Sequence, residues 1–123
     1  MSSREYSAQR NLYRPSVRVG DIVFLSGRIG MHDGSLPDGI ELQLERAVAN
    51  INDELAASGL RLENIVKVTI YLLTMQDYDD MNRAYLRVMP DVLPARTCIA
   101  VSELPFGARV ELDVIAQDRS YPL

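Results

Sequence analysis

The 123 residues, 47% hydrophobic and 24% charged, have the size and balance of one globular domain around a single core, spanning residues 1–123. A formal net charge of -4 argues against nucleic acid as a partner, because gripping phosphate backbones requires a strongly basic face. No apolar run approaches the roughly 20 residues of a membrane span, and Met1-Ser2-Ser3-Arg4-Glu5 has no apolar stretch after it to read as a signal peptide.

The first ordered signal runs from Val17 to Gly27, where Gly20-Asp21 is a two-residue turn between short β-branched runs and predicts a hairpin. Met31 to Gly39 is polar, rich in glycine and aspartate, and reads as a surface loop. From Ile40, the residues Leu44, Val48, Ile51 and Leu55 recur at helical spacing, and Ser58-Gly59 closes that helix with a residue able to turn left-handed. Ile65–Leu72 is β-branched and apolar, hence a central strand. Thr74 caps a second helix whose buried face carries Tyr78, Met81, Tyr85 and Val88, and Pro90 stops it. Two further strands follow, about Arg96 to Val101 and Ala108 to Ala116, separated by Leu104-Pro105-Phe106-Gly107.

The order is hairpin, helix, strand, helix, strand, strand. Two helices cover only one face of a mixed sheet of four to six strands, so the class is α/β and the other face is either wet or buried against a partner. The last strand has apolar residues at both parities, Val110, Leu112 and Val114 on one side and Ile115 on the other. That pattern favours a second copy as the cover, a cheap solution for a short chain.

Two charges lie inside β-prone runs, where charge is expensive. Arg96 follows Pro94-Ala95, and its planar guanidinium can hold a carboxylate through two parallel hydrogen bonds; an edge-strand arginine or an interface ion pair explains it equally well. Glu111 can orient a water or exchange a proton if its surroundings tune it, or can belong with Arg109 and Asp113 to a solvated charged stripe. Cys98 shares a strand face with Arg96. It is the only cysteine and His32, in a distant loop, the only histidine, which leaves no disulfide framework, too few soft ligands for zinc, and a snug thiol in place of a nucleophile; the composition fits a reducing cytoplasm. Tyr13 before the hairpin can close a pocket or simply pack, and Asn82 beside the second helix's apolar stripe can bind a ligand or bond locally. Asp77, Asp79 and Asp80 fit a helix N-terminus better than a magnesium site.

Several ordered segments resemble the RidA/YjgF family of small reactive-intermediate deaminases, also labelled endoribonuclease L-PSP. They are Gly20 through Gly27, Gln43 with Asn50-Ile51, Gly59 followed by Ile65-Val66-Lys67-Val68-Thr69, Tyr78 with Asn82 and Tyr85, Pro94 through Cys98, and Leu104-Pro105 through Val110-Glu111. The resemblance implies a chorismate-mutase-like subunit assembled as a homotrimer, with sheets packed into a central barrel and pockets between neighbours. It also implies hydrolysis of enamine or imine acids to 2-oxo acids and ammonia, with no metal or organic cofactor. By position, Arg96 resembles the carboxylate anchor, Glu111 the glutamate beside the hydrolytic water, and Cys98 the residue whose main chain holds the reacting nitrogen. Tyr13, Ser26 and Asn82 match pocket residues.

The chain departs from the family around Asn11-Leu12-Tyr13-Arg14-Pro15 and at Arg28, which stands where glutamine is usual. Arg28 as a substrate-binding residue would favour a more acidic substrate; otherwise it faces solvent. A small-molecule carboxylate-binding or stress-response protein with little turnover is the competing reading.

Overall fold

The computed structural model describes residues 12–120; the opening residues read above for a leader, and Asn11, lie outside them. Ser16–Val19 (β1) and Ile22–Arg28 (β2) form the expected hairpin, with Val19 paired to Ile22 and Gly20 at φ +60 supplying the left-handed residue of the turn. Ile40–Ala57 (α1) begins straight after Gly39. It ends as its sequence dictates: Gly59, at φ +76, lets its own N–H reach Ala56 O at 3.0 Å and the Leu60 N–H reach Leu55 O at 2.8 Å.

Ile65–Leu72 (β3) leads to Thr74, whose hydroxyl accepts the Gln76 N–H at 3.2 Å and so caps a short 3₁₀ turn, Met75–Asp77, that runs directly into Tyr78–Val88 (α2). Pro90 ends α2 by forcing Met89 into extended backbone. Ala95–Ala100 (β4), a 3₁₀ turn at Pro105–Gly107 and Val110–Gln117 (β5) complete the chain, each strand within two residues of its expected bounds.

The five strands lie in the order β1-β2-β5-β3-β4; β3 and β4 are parallel, the other pairs antiparallel. Both helices cover one face. There Val68, Ile70, Leu72, Val110, Leu112 and Val114 pack against Leu44, Ile51 and Leu55 of α1 and Met81 and Tyr85 of α2. The opposite face carries Phe24, Tyr71, Ile99, Glu111, Asp113 and Ile115, none of them buried. The expected mixed sheet with helices on one side is therefore present. No helix among the described residues is long and apolar enough to cross a membrane.

One irregularity positions the site. In the β2–β5 ladder Leu25 pairs with Val114 and Arg28 with Leu112, so Ser26 and Gly27 together oppose the single residue Asp113. This bulge reverses the alternation beyond it. Arg28, which strict period two would place on the open face, is turned under the sheet and is only 8% exposed.

Candidate active site

Glu111 lies on the open face of β5 and lines a cavity of about 340 Å³ with Tyr13, Ser26, Gly27, Ile29, Pro105 and Phe106. Its carboxylate occupies the space a side chain at residue 27 would need: a Cβ on Gly27 would stand 2.1 Å from Glu111 Oε2. No hydrogen bond or ion pair ties this carboxylate to any other described residue. Burial raises its pKa above the ordinary glutamate value, and the nearby Asp113 charge raises it further.

The walls of this cavity are held by short-range devices. Ser26 Oγ donates to Arg14 O at 2.7 Å, and the Ser26 N–H to Pro15 O at 3.0 Å, which docks the segment bearing Tyr13 against β2. Phe106 sits at φ +60, an uncommon conformation for a bulky residue, and packs against a small cluster of Ile29, Met31 and Ala108. Gln43, 5% exposed, accepts the Arg109 N–H at 2.8 Å and donates to Pro37 O at 3.1 Å, while Asn50 donates to Ile29 O and Met31 O at 3.0 and 2.9 Å. The motif residues of α1 are thus ties that fix the loops around Glu111.

Arg96 lies on the other face. Its β3 partner is Val68, a core residue, so its side chain leaves β4 toward α2. The guanidinium stacks over Tyr85, 4.9 Å from the ring centroid, with Tyr78 at 5.6 Å, and Nη2 donates to Asn82 Oδ1 at 2.5 Å. Leu86, Leu93 and Pro94 complete a cavity of about 350 Å³. Asn82 takes one N–H, and no other hydrogen bond ties the planar fork to a described residue. The Tyr85 hydroxyl, in a residue only 2% exposed, has no hydrogen-bond partner among the described residues.

Of the expected site residues, the structure therefore brings Arg96 together with Asn82, and Glu111 together with Tyr13 and Ser26. It does not bring Arg96 to Glu111, because β3 separates their strands and the two side chains leave opposite faces. Cys98 shares Arg96's face, packs against the core, and has its pKa raised by burial, opposed by the Arg96 charge; it does not line either cavity.

Arg28 does not line the Glu111 cavity. Its guanidinium donates to Ser26 O at 2.8 Å, Gly27 O at 3.4 Å, Pro15 O at 3.3 Å and Glu54 Oε1 at 3.3 Å. It lines a neighbouring cavity with Tyr13, Asn50, Asp53 and Glu54, clamps the bulge from below and is not solvent-facing. Asp77 lies at the N-terminus of α2, as expected, with Asp79 and Asp80 in its first turn, while Arg109 pairs with it instead of standing in a solvated stripe. Arg109 and Asp77 form a two-bond pair at 2.7 and 3.2 Å that joins the turn before α2 to the start of β5.

Tyr78 and Tyr85 belong to the Arg96 cavity, and Tyr78, 36% exposed, is not part of the core. The spacing carried that signal: Tyr78, Asn82 and Tyr85 fall at i, i+4 and i+7, one stripe of a helix. Phe106 and Gly27 had no comparable periodic signal. Among the described residues no cluster of three or more histidine, cysteine or acidic side chains could hold a metal ion.

Residues 4–118 match the family described as Endoribonuclease L-PSP. A mouse protein named 2-iminobutanoate/2-iminopropanoate deaminase is 34% identical over 107 residues, covering 85% of this chain and 79% of that protein. A RutC family protein of Aquifex aeolicus is 37% identical, covering 85% and 86%. Among solved structures, RidA from the Antarctic bacterium Psychrobacter superposes with a TM-score of 0.81 at 30% identity, covering 85% of this chain and 87% of that one. TdcF of E. coli with bound serine gives 0.81 at 27% identity, with 85% and 87% covered. With this match along nearly its whole length, the chain belongs to the RidA/YjgF family, the Endoribonuclease L-PSP family.

Proposed function

We propose that this chain hydrolyses reactive 2-imino acids and their enamine tautomers to 2-oxo acids and ammonia, in pockets shared between copies of a homotrimer. The observation that carries the reading is the division of the chemistry into two half-sites: a guanidinium stacked and oriented for a carboxylate, and a glutamate left without a protein partner. Because they leave opposite faces of one sheet, a substrate reaches both only when the Arg96 cavity of one copy meets the Glu111 cavity of another. The relatives named as 2-iminobutanoate/2-iminopropanoate deaminases support the substrate class, and serine bound to TdcF supports recognition of an α-carboxylate.

In this arrangement Arg96 holds the substrate carboxylate by its free edge, with Asn82 fixing the plane of the fork and the tyrosine faces supporting it. C2 then lies on the Glu111 side, and rate comes from orientation, with no covalent intermediate. An enamine first gains a proton at C3 and becomes an iminium. Water adds to C2 as Glu111 accepts its proton, nitrogen takes a proton, the C–N bond breaks, and ammonia leaves as the C2 carbonyl forms. Cys98 contributes through its main chain on edge strand β4, holding the reacting nitrogen; Tyr13 and Ser26 line the water side. No step requires a metal or a cofactor, and the substrate is a small-molecule carboxylate.

Freshly generated 2-aminoacrylate or 2-iminobutanoate should disappear faster with the protein than by spontaneous hydrolysis, and Arg96→Ala should abolish that gain. The spontaneous rate persisting across several side-chain types sinks the assignment. A bound 2-oxo acid without acceleration would identify a carboxylate-binding protein instead.

A further inference from the structure

Arg28 is 8% exposed, a depth at which a charge is kept only when it is paired and hydrogen-bonded. The two ends of its fork hold different walls of the Glu111 cavity. Nη1 donates to Ser26 O at 2.8 Å and to Gly27 O at 3.4 Å, the two carbonyls of the bulge. Nη2 donates to Pro15 O at 3.3 Å, the same carbonyl that takes the Ser26 N–H, and to Glu54 Oε1 at 3.3 Å. Glu54 is fixed in turn by its place on α1 and by Ser16 Oγ, which donates to Oε2 at 3.2 Å.

These contacts join the bulge, the segment before β1 and helix α1 at one point. A bulge takes residues out of regular pairing, and here it does so where Gly27 backs directly onto the Glu111 carboxylate. Pro15 carries the chain from Tyr13 into β1, so the guanidinium that holds the bulge also holds the segment that closes the cavity. Three carbonyls and a carboxylate shared between two nitrogens call for a planar fork; an ammonium would offer a single point of charge. Glutamine, usual at this position, has one donor nitrogen and no charge to answer Glu54.

We propose that Arg28 is a positioning residue for hydrolysis: from beneath the sheet it locks the Ser26-Gly27 bulge and the Tyr13 segment in the arrangement that seats the Glu111 carboxylate, and Glu54 anchors the guanidinium that does so. This rests on the imine-hydrolysis reading and adds a residue to it that touches no substrate. Arg28 acts through the backbone. Loosening the clamp lets Gly27 and Tyr13 drift relative to Glu111, which costs rate because the reacting groups lose their alignment. Carboxylate binding is spared, since the Arg96 cavity shares no lining residue with the clamp.

The test separates positioning from stability, in the full chain. Arg28→Met combined with Glu54→Leu replaces the buried pair by apolar side chains of similar size, an exchange that is often neutral or stabilising. Arg28→Lys keeps a charge beside Glu54 and loses the fork. The double variant should melt at or above the parent temperature. In both variants kcat per folded molecule toward 2-iminobutanoate should fall about tenfold or more, with KM within about twofold of the parent. Exchange of the Ser26 amide proton, followed by NMR without substrate, should speed up in both as the bulge loosens. Parental kcat in either variant overturns the proposal, as does a loss that enters through KM or only tracks the fraction folded, or a Ser26 exchange rate that stays at the parent value. Failure of the imine reading shows in the parent itself, failure of the clamp only in the variants, so the two are distinguishable.

Discussion

Arg96 and Glu111 leave opposite faces of one sheet, from strands β4 and β5 with β3 between them. In the proposed hydrolysis the two groups are consequently half-sites in any single copy, each with its own supporting shell. Those shells predict different kinetic signatures.

On the Glu111 side the critical neighbour is Gly27. A methyl group there would lie 2.1 Å from Glu111 Oε2, so Gly27→Ala must push the carboxylate aside. Displacement of a reacting group by about 1 Å costs on the order of 10²-fold in rate. Steady-state kinetics should show that loss in kcat with KM little changed, because the Arg96 cavity is untouched.

On the Arg96 side the signature is reversed. Arg96→Lys keeps the charge but loses the planar fork, the stack on Tyr85 and the bond to Asn82. Losing a charge-assisted hydrogen bond costs about 1.5–3 kcal/mol, roughly 10- to 150-fold. Most of it should enter as a higher KM, and Asn82→Ala should show a smaller loss of the same kind.

Glu111 also predicts a stability effect. Its folded pKa is raised by burial and by Asp113, so its proton is held more tightly in the folded chain than in the unfolded one. The stabilising contribution is therefore full below the unfolded value and is lost as pH rises through the folded value. Thermal melts should find Glu111→Gln more stable than the parent at neutral pH, with the difference vanishing in acid, while activity is lost.

The Gln43 ties predict a structural loss without chemistry. Gln43→Leu leaves the partly buried Arg109 N–H and Pro37 O without this partner, costing at most about 1–3 kcal/mol for each group left unpaired. Chemical denaturation should show the loss. Activity per folded molecule should fall less than in Gly27→Ala.

Local features of this fold were readable because local chemistry determines them: Gly20 for the hairpin turn, the Leu44–Leu55 stripe with Gly59 for α1, and Pro90 for the end of α2. The strand order was not, since β5 enters between β2 and β3 through contacts distant in sequence. Arg28 shows how one residue of extra backbone defeats an alternation argument. The Ser26-Gly27 bulge turns it under the sheet, where it clamps carbonyls and Glu54. Arg96 and Glu111 stood out as charges in β-prone runs, but their opposed faces required the register. Tyr78 was misplaced into the core because its stripe also carries Asn82, and that stripe serves Arg96.

Mixing two silent variants tests the shared site most directly. Arg96→Ala and Glu111→Gln chains, each inactive toward 2-iminobutanoate alone, should recover a substantial fraction of parental activity when co-expressed or refolded together, because some interfaces then pair an intact Arg96 cavity with an intact Glu111 cavity. Mixed assemblies that remain as inactive as either parent would contradict a site built between copies.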